Sequence, residues 1–214
     1  MKKVVLLGDS IRMGYDKYVK EALREVAEVY YPNDNCQYTP STLRFVHEWK
    51  AKGGWPDDVD LVHWNAGLWD VLELFGDEPI TSIDYYGEAI FRIHKRLRML
   101  FPKAKLVFAT STAVLERLMK PDFARHNATI ERYNARAIEA LADTDEVIND
   151  LYTLTRNAPD EYHSDFVHYY TDGGTALIGN KVLSVIAAEL GITSKEIKAE
   201  GFERENYSKE KIGY

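Results

Sequence analysis

The sequence predicts an α/β fold in which a parallel sheet is covered by helices on both faces. Two observations carry this. Short apolar runs alternate along the chain with longer amphipathic segments, the pattern of strands joined by crossover helices. The 214 residues, 45% of them hydrophobic and 12% aromatic, suffice for one substantial core, and hence for a single domain.

The first strand is expected at 4–8, where Val4, Val5, Leu6 and Leu7 run unbroken into Gly8. A helix follows at 14–25, then a second strand at 26–31 and a second helix at 41–52. The third strand falls at 61–65 and leads to a helix at 85–101. There Ile90, Ile93, Leu97 and Leu100 recur at three- and four-residue spacing with Arg92, Lys95, Arg96 and Arg98 between them, as a helix lying on a sheet requires. Pro102 ends it. The fourth strand is read at 106–110, the fourth helix at 123–141, the fifth strand at 147–151 and the closing helix at 172–190. Neither an internal repeat nor a low-complexity linker divides the chain, so 1–192 forms the expected domain and 193–214 a charged C-terminal extension. That extension reads as a solvated helix packed by Ile197 and Phe202 or as a loosely held tail, with a role in packing or self-association.

Charge and cysteine content narrow the function classes. With 27 Lys and Arg against 34 Asp and Glu, the net charge of -7 offers no basic surface to neutralise phosphates, so nucleic acid is not an expected partner. The single cysteine, Cys36, cannot form an internal disulfide, which fits a reducing compartment. The apolar run from Val4 to Leu7 is shorter than the roughly 7 to 15 residues of a signal peptide. No stretch approaches the roughly 18 residues of a membrane span, and the expectation is a cytoplasmic protein without a membrane partner.

Ligands of open parallel sheets gather at the carboxyl ends of the strands, which is where Asp9 and Ser10 stand. Ser10 has three readings: a helix N-cap, part of a phosphate cradle, or a nucleophile. The cradle fails on spacing, because Gly8 and Gly14 lack the intermediate glycines of a dinucleotide loop and no lysine follows. The nucleophile needs a base elsewhere, since a hydroxyl reacts poorly until its proton is taken. Of the six histidines, His168 has fitting surroundings. In "YHSDFVHYYTDGG" Asp165 precedes it by three residues, close enough in a turn to hold one imidazole nitrogen while the other faces a serine. The order Ser, Asp, His occurs in other hydrolases. The same residues also fit a turn cap among ordinary histidines. His163 with Asp165 resembles the His-x-Asp half of a facial metal triad, which needs a distant third ligand.

Taken together, "LLGDSIRMGY", "DLVHWNAGLWD" and "DFVHYYTDGG" resemble the first, third and last blocks of the SGNH/GDSL hydrolase family, over residues 3 to about 190. The resemblance implies a three-layer α/β/α sandwich on a five-stranded, flavodoxin-like parallel sheet. It also implies a serine esterase that needs no metal or organic cofactor, with Ser10 as nucleophile and amide donor, His168 as base and Asp165 as its orienter. For the side-chain donor to the oxyanion, the register favours Asn65 over Trp69, because "NAGL" matches the Asn-Asp-Gly-Leu form of the third block. The family's second-block glycine has no counterpart in "YPNDNCQYTPSTL", which leaves a backbone N–H at or near Cys36 as the expected second donor. Ile11 stands where the family has leucine.

The expected partner is a small-molecule ester. Asp9, Arg12, Trp64 and Trp69 are candidate substrate contacts, with Tyr15, Tyr169 and Tyr170 nearby. Aromatic faces suit sugar rings, although such residues also fill cores. The leading substrate is therefore an O-acetyl group on carbohydrate, followed by other acyl esters or thioesters. Arg12 either binds a carboxylate or pairs with Asp16. Two rival classes keep the same element pattern: a binding module that has lost catalysis, and a flavin or nucleotide binder, whose first loop would be richer in Ser, Thr and Gly than "GDSIRMG".

Overall fold

A computed structural model describes residues 1–200 and Phe202. The elements run β1 (Lys2–Leu7), α1 (Ser10–Leu23), β2 (Ala27–Tyr30), α2 (Thr39–Gly53), β3 (Leu61–Trp64), α3 (Ile83–Leu100), β4 (Lys105–Ala109), α4 (Asn127–Leu141), β5 (Val147–Asn149), α5 (Leu151–Thr155) and α6 (Asp172–Leu190). Short 3-10 turns lie at Glu116–Leu118 and Asp160–Tyr162.

All strands pair in parallel in the order β2-β1-β3-β4-β5. The register sets Leu7 beside Trp64 and Trp64 beside Phe108. On one face α1 packs against α6, and on the other α3 lies between α2 and α4. The three-layer sandwich expected from the sequence is therefore what forms. Val4 to Leu7 are 0–1% exposed, because a parallel strand with helices on both faces has no polar side to show. The amphipathic stripe of α3 is buried through Ile90, Ile93 and Leu97.

The boundaries depart from the sequence reading where caps decide them. Helix α1 starts at Ser10 rather than at 14, because the Asp9 side chain accepts the Ile11 N–H at 3.0 Å and closes its first turn. Helix α4 starts at Asn127 rather than at 123, and the connection before it is irregular apart from the first 3-10 turn. Strand β5 ends at Asn149, since Asp150 accepts the Thr153 N–H at 3.0 Å and begins α5, which the periodicity did not reveal. Helix α6 has its expected ends, capped by Thr171 and closed by Gly191 in the left-handed region at φ 62°.

Beyond α6 the chain returns to α1. The Lys195 N–H donates to the Ala22 carbonyl at 2.9 Å, and the Phe202 ring meets Tyr18 edge-on at 5.5 Å. The charged extension thus packs on the domain at Lys195 and Phe202, and Gly201 and 203–214 lie outside the described residues. Among the described residues no helix is long and apolar enough to cross a membrane.

Candidate active site

The seam between β1 and α1 holds Ser10. Gly8 ends the strand's run, and a Cβ there would lie 1.9 Å from Asn65 Oδ1, so only glycine lets the two chain segments approach this closely. Asp9, not Ser10, is the N-cap, which removes the capping reading of the serine. Ser10 is the first helical residue, and its N–H is one of the first-turn donors that a helix leaves without an internal acceptor. Burial raises the Asp9 carboxyl above the ordinary carboxylate range. The Asn65 side chain, the Ile11 N–H and the charges of His168 and Arg125 act against that rise.

Asp165 and His168 come from the turn before α6. Asp165 Oδ1 accepts the N–H groups of Val167 at 2.7 Å and His168 at 2.8 Å, which folds the carboxylate back on its own loop. Its Oδ2 lies 2.7 Å from His168 Nδ1, and His168 Nε2 lies 2.8 Å from Ser10 Oγ. Burial pushes the Asp165 carboxyl up, but the hydrogen bond and charge of His168 and the two backbone N–H groups hold it at about 2. The Tyr170 ring stacks on His168 at 4.8 Å, and its hydroxyl donates to the Ser10 carbonyl at 2.6 Å. One tyrosine therefore touches both the hydroxyl's residue and the imidazole.

Asn65 follows β3 and is 4% exposed, with its Oδ1 packed on Gly8. That orientation leaves the NH₂ end as the donor. Cys36 does not supply a second one, because its N–H donates to the Gly8 carbonyl at 3.2 Å and its side chain is wholly buried. Burial also pushes its thiol up to about 11, far from a reactive thiolate. In the segment that lacks the family's glycine, Gln37 takes the left-handed conformation at φ 54°, and its N–H is held by Asn35 Oδ1 at 2.8 Å. Asp70 anchors the start of α2 beside this segment, accepting the Thr39 N–H at 3.1 Å and the Thr39 hydroxyl at 2.6 Å.

Three of the four expected substrate contacts, Asp9, Arg12 and Trp64, prove structural. Arg12 is 1% exposed and bonds Asp16 at 2.5 Å, the Pro32 carbonyl at 3.0 Å and the Asp34 carbonyl at 2.7 Å. It clamps the segment after β2 to α1, the second of its two sequence readings. Trp64 is 0% exposed, stacked edge-on against Phe108, with its indole N–H donating to Glu146. Tyr15 and Tyr169 are buried as well. Trp69 is half-buried. His163 packs its ring on Tyr169 at 4.0 Å, and Asp165 is committed to His168, so the pair is not arranged as metal ligands. Among the described residues no cluster of His, Cys, Asp or Glu is placed to hold a metal ion.

A cleft of about 340 Å³ opens beside this arrangement, lined by His168 and Asp165 and walled by Leu118, Phe123 and Phe166. Leu118 and Phe123 come from the irregular connection between β4 and α4, which periodicity had partly assigned to helix, and Phe166 from the turn that carries Asp165 and His168.

No family model and no curated protein matches the sequence. Solved structures do match the fold. A lipase/acylhydrolase from Enterococcus faecalis superposes with a TM-score of 0.68 at 20% identity, covering 92% of this chain and 100% of that one. A GDSL-like lipase from Bacteroides thetaiotaomicron gives 0.63 at 18%, covering 89% of each chain. A variant of an acetyl xylan esterase from Geobacillus stearothermophilus gives 0.64 at 15%, covering 92% of this chain and 97% of that one. The chain therefore has the fold of the SGNH/GDSL hydrolases, here with a serine, a histidine and a carboxylate in hydrogen-bonded sequence at the carboxyl edge of its sheet.

Proposed function

We propose that the protein is a carboxylic ester hydrolase that works through an acyl-enzyme on Ser10. One observation carries this: the unbroken chain from Ser10 Oγ to His168 Nε2 at 2.8 Å and from His168 Nδ1 to Asp165 at 2.7 Å. Ser10 Oγ attacks the ester carbonyl while His168 Nε2 takes its proton, and Asp165 stabilises the imidazolium. The Ser10 N–H and the Asn65 NH₂ receive the charge that develops on the carbonyl oxygen, an effect worth ~10²–10³ in turnover for a single donor. The C–O bond then breaks, the alcohol leaves with the proton from His168, and the acyl group stays on Ser10. Water, deprotonated by His168, attacks the acyl carbon and releases the carboxylic acid.

The acyl group is small, such as acetyl, because Asp9, Ser10 and Asn65 are 0%, 2% and 4% exposed and leave little room beside the oxyanion donors. Among the structural neighbours, the one from Geobacillus stearothermophilus is itself an acetyl xylan esterase. A carbohydrate alcohol draws its support from the acetyl xylan esterases among the structural neighbours, because Trp64, Tyr15 and Tyr169, which favoured sugar in the sequence, are core residues.

The test is p-nitrophenyl acetate hydrolysis by the wild type beside Ser10→Ala and His168→Ala. Turnover is expected to fall at least ~10³-fold in each variant. Equal rates in all three proteins refute the reading.

A further inference from the structure

The cleft beside His168 has a definite chemical character, and the ester-hydrolase reading says which half of the substrate enters it. We propose that it binds the alcohol portion of the ester and that this alcohol is apolar, about the size of an aromatic ring. The inference rests on the proposed function. In that mechanism His168 Nε2 gives the proton it took from Ser10 to the leaving oxygen as the C–O bond breaks, so that oxygen lies within ~3 Å of Nε2. The group it carries starts at His168. His168 lines the cleft, whereas Ser10 and Asn65, which receive the carbonyl oxygen, do not. The alcohol and the acyl group are thereby sorted to different sides.

The lining sets the class. Phe123 and Phe166 meet edge to face at 6.5 Å, with Leu118 beside them. An ethyl group leaves most of about 340 Å³ unfilled. A polyhydroxylated ring loses water from its hydroxyls against apolar walls that return few hydrogen bonds. Lys120 and Asp122 also line the cleft, but both are exposed and stay hydrated.

The wall is a built feature. Long connections in compact domains tend to be functional, and this one runs from 110 to 126 with one 3-10 turn and isolated bridges in it. Ala124 and Glu73 exchange two backbone hydrogen bonds of 2.9 Å, Arg125 Nε donates to the Leu68 carbonyl at 2.5 Å, and the Leu115 N–H donates to the Phe166 carbonyl at 2.9 Å. Phe123 is thus held from both sides.

The experiment compares kcat/KM for ethyl acetate, benzyl acetate and an O-acetylated methyl xyloside, which share one acyl group and have unactivated alcohols. It uses the wild type, Ser10→Ala, Phe123→Ala and Phe166→Ala. The expected result is a Ser10-dependent preference for benzyl over ethyl acetate of about tenfold or more, the scale on which apolar pockets discriminate. That ratio is expected to fall towards one in Phe123→Ala and Phe166→Ala. If either variant fails to fold, the wild-type series decides alone. Ser10-dependent hydrolysis with no benzyl preference, with the xyloside preferred, or with a preference that both wall variants keep, overturns the cleft assignment and leaves the ester-hydrolase reading standing. Absence of Ser10-dependent hydrolysis of every ester overturns both.

Discussion

His63 on β3 and His168 before α6 are both buried, at 0% and 2% exposure, and each has polar neighbours on both ring nitrogens. The neighbours differ in kind. Asn149 Nδ2 lies 3.0 Å from His63 Nε2 and can only donate, so that nitrogen accepts and the ring is neutral, its other nitrogen near the Tyr15 hydroxyl at 3.5 Å. Burial pushes His63 down to about 3. His168 instead has a carboxylate on Nδ1 and a hydroxyl on Nε2. Burial alone makes an imidazole inert, and a carboxylate on the far nitrogen is what equips it to accept a proton.

The sharpest way to break this comparison is Asp165→Asn, which leaves His168 with an amide neighbour, as His63 has. Turnover is expected to fall about 10⁴-fold, through the wrong tautomer and loss of support for the imidazolium. A loss smaller than tenfold removes the distinction between the two histidines. The second prediction concerns His63 and is read in stability. Its folded pKa of about 3 lies below the unfolded value of about 6.5. As pH falls below about 6.5 the unfolded chain takes up a proton that the native state refuses, so stability falls on acidification. His63→Gln removes this term, and between pH 7 and 5 the wild type is expected to lose on the order of 2 kcal/mol more than the variant in urea unfolding. Parallel pH profiles contradict it. The smallest effect is assigned to Tyr170→Phe, which keeps the ring on His168 and removes the hydroxyl from the Ser10 carbonyl. One hydrogen bond of ~1 kcal/mol corresponds to a less than tenfold fall in kcat, with KM for p-nitrophenyl acetate nearly unchanged.

The sheet was legible because a strand covered on both faces must be apolar throughout, and Val4 to Leu7 can be nothing else. Ser10, Asp165 and His168 were legible because each sits at an element end with a distinctive neighbour, and the structure brings all three together. Burial partners were not. Trp64 and Arg12 carry the same letters whether they face a ligand or the core, and what decides is a residue remote in sequence, Glu146 for one and the Pro32 and Asp34 carbonyls for the other. The cleft wall was hidden for a related reason. Between 110 and 126 the backbone path is fixed by bonds to Glu73, Leu68 and Phe166, and no local period records them.

The hydrogen bond between Ser10 and His168 joins positions 158 residues apart. During synthesis the nucleophile leaves the ribosome first and has no base until the last fifth of the domain has emerged and docked. Because such distant contacts form only after the costly closure of the intervening chain, the regain of hydrolysis on refolding is expected to lag the recovery of helical signal. On the proposed mechanism, activity is then a clock for the final step of assembly, and a chain truncated before His168 is silent however much of its sheet has formed.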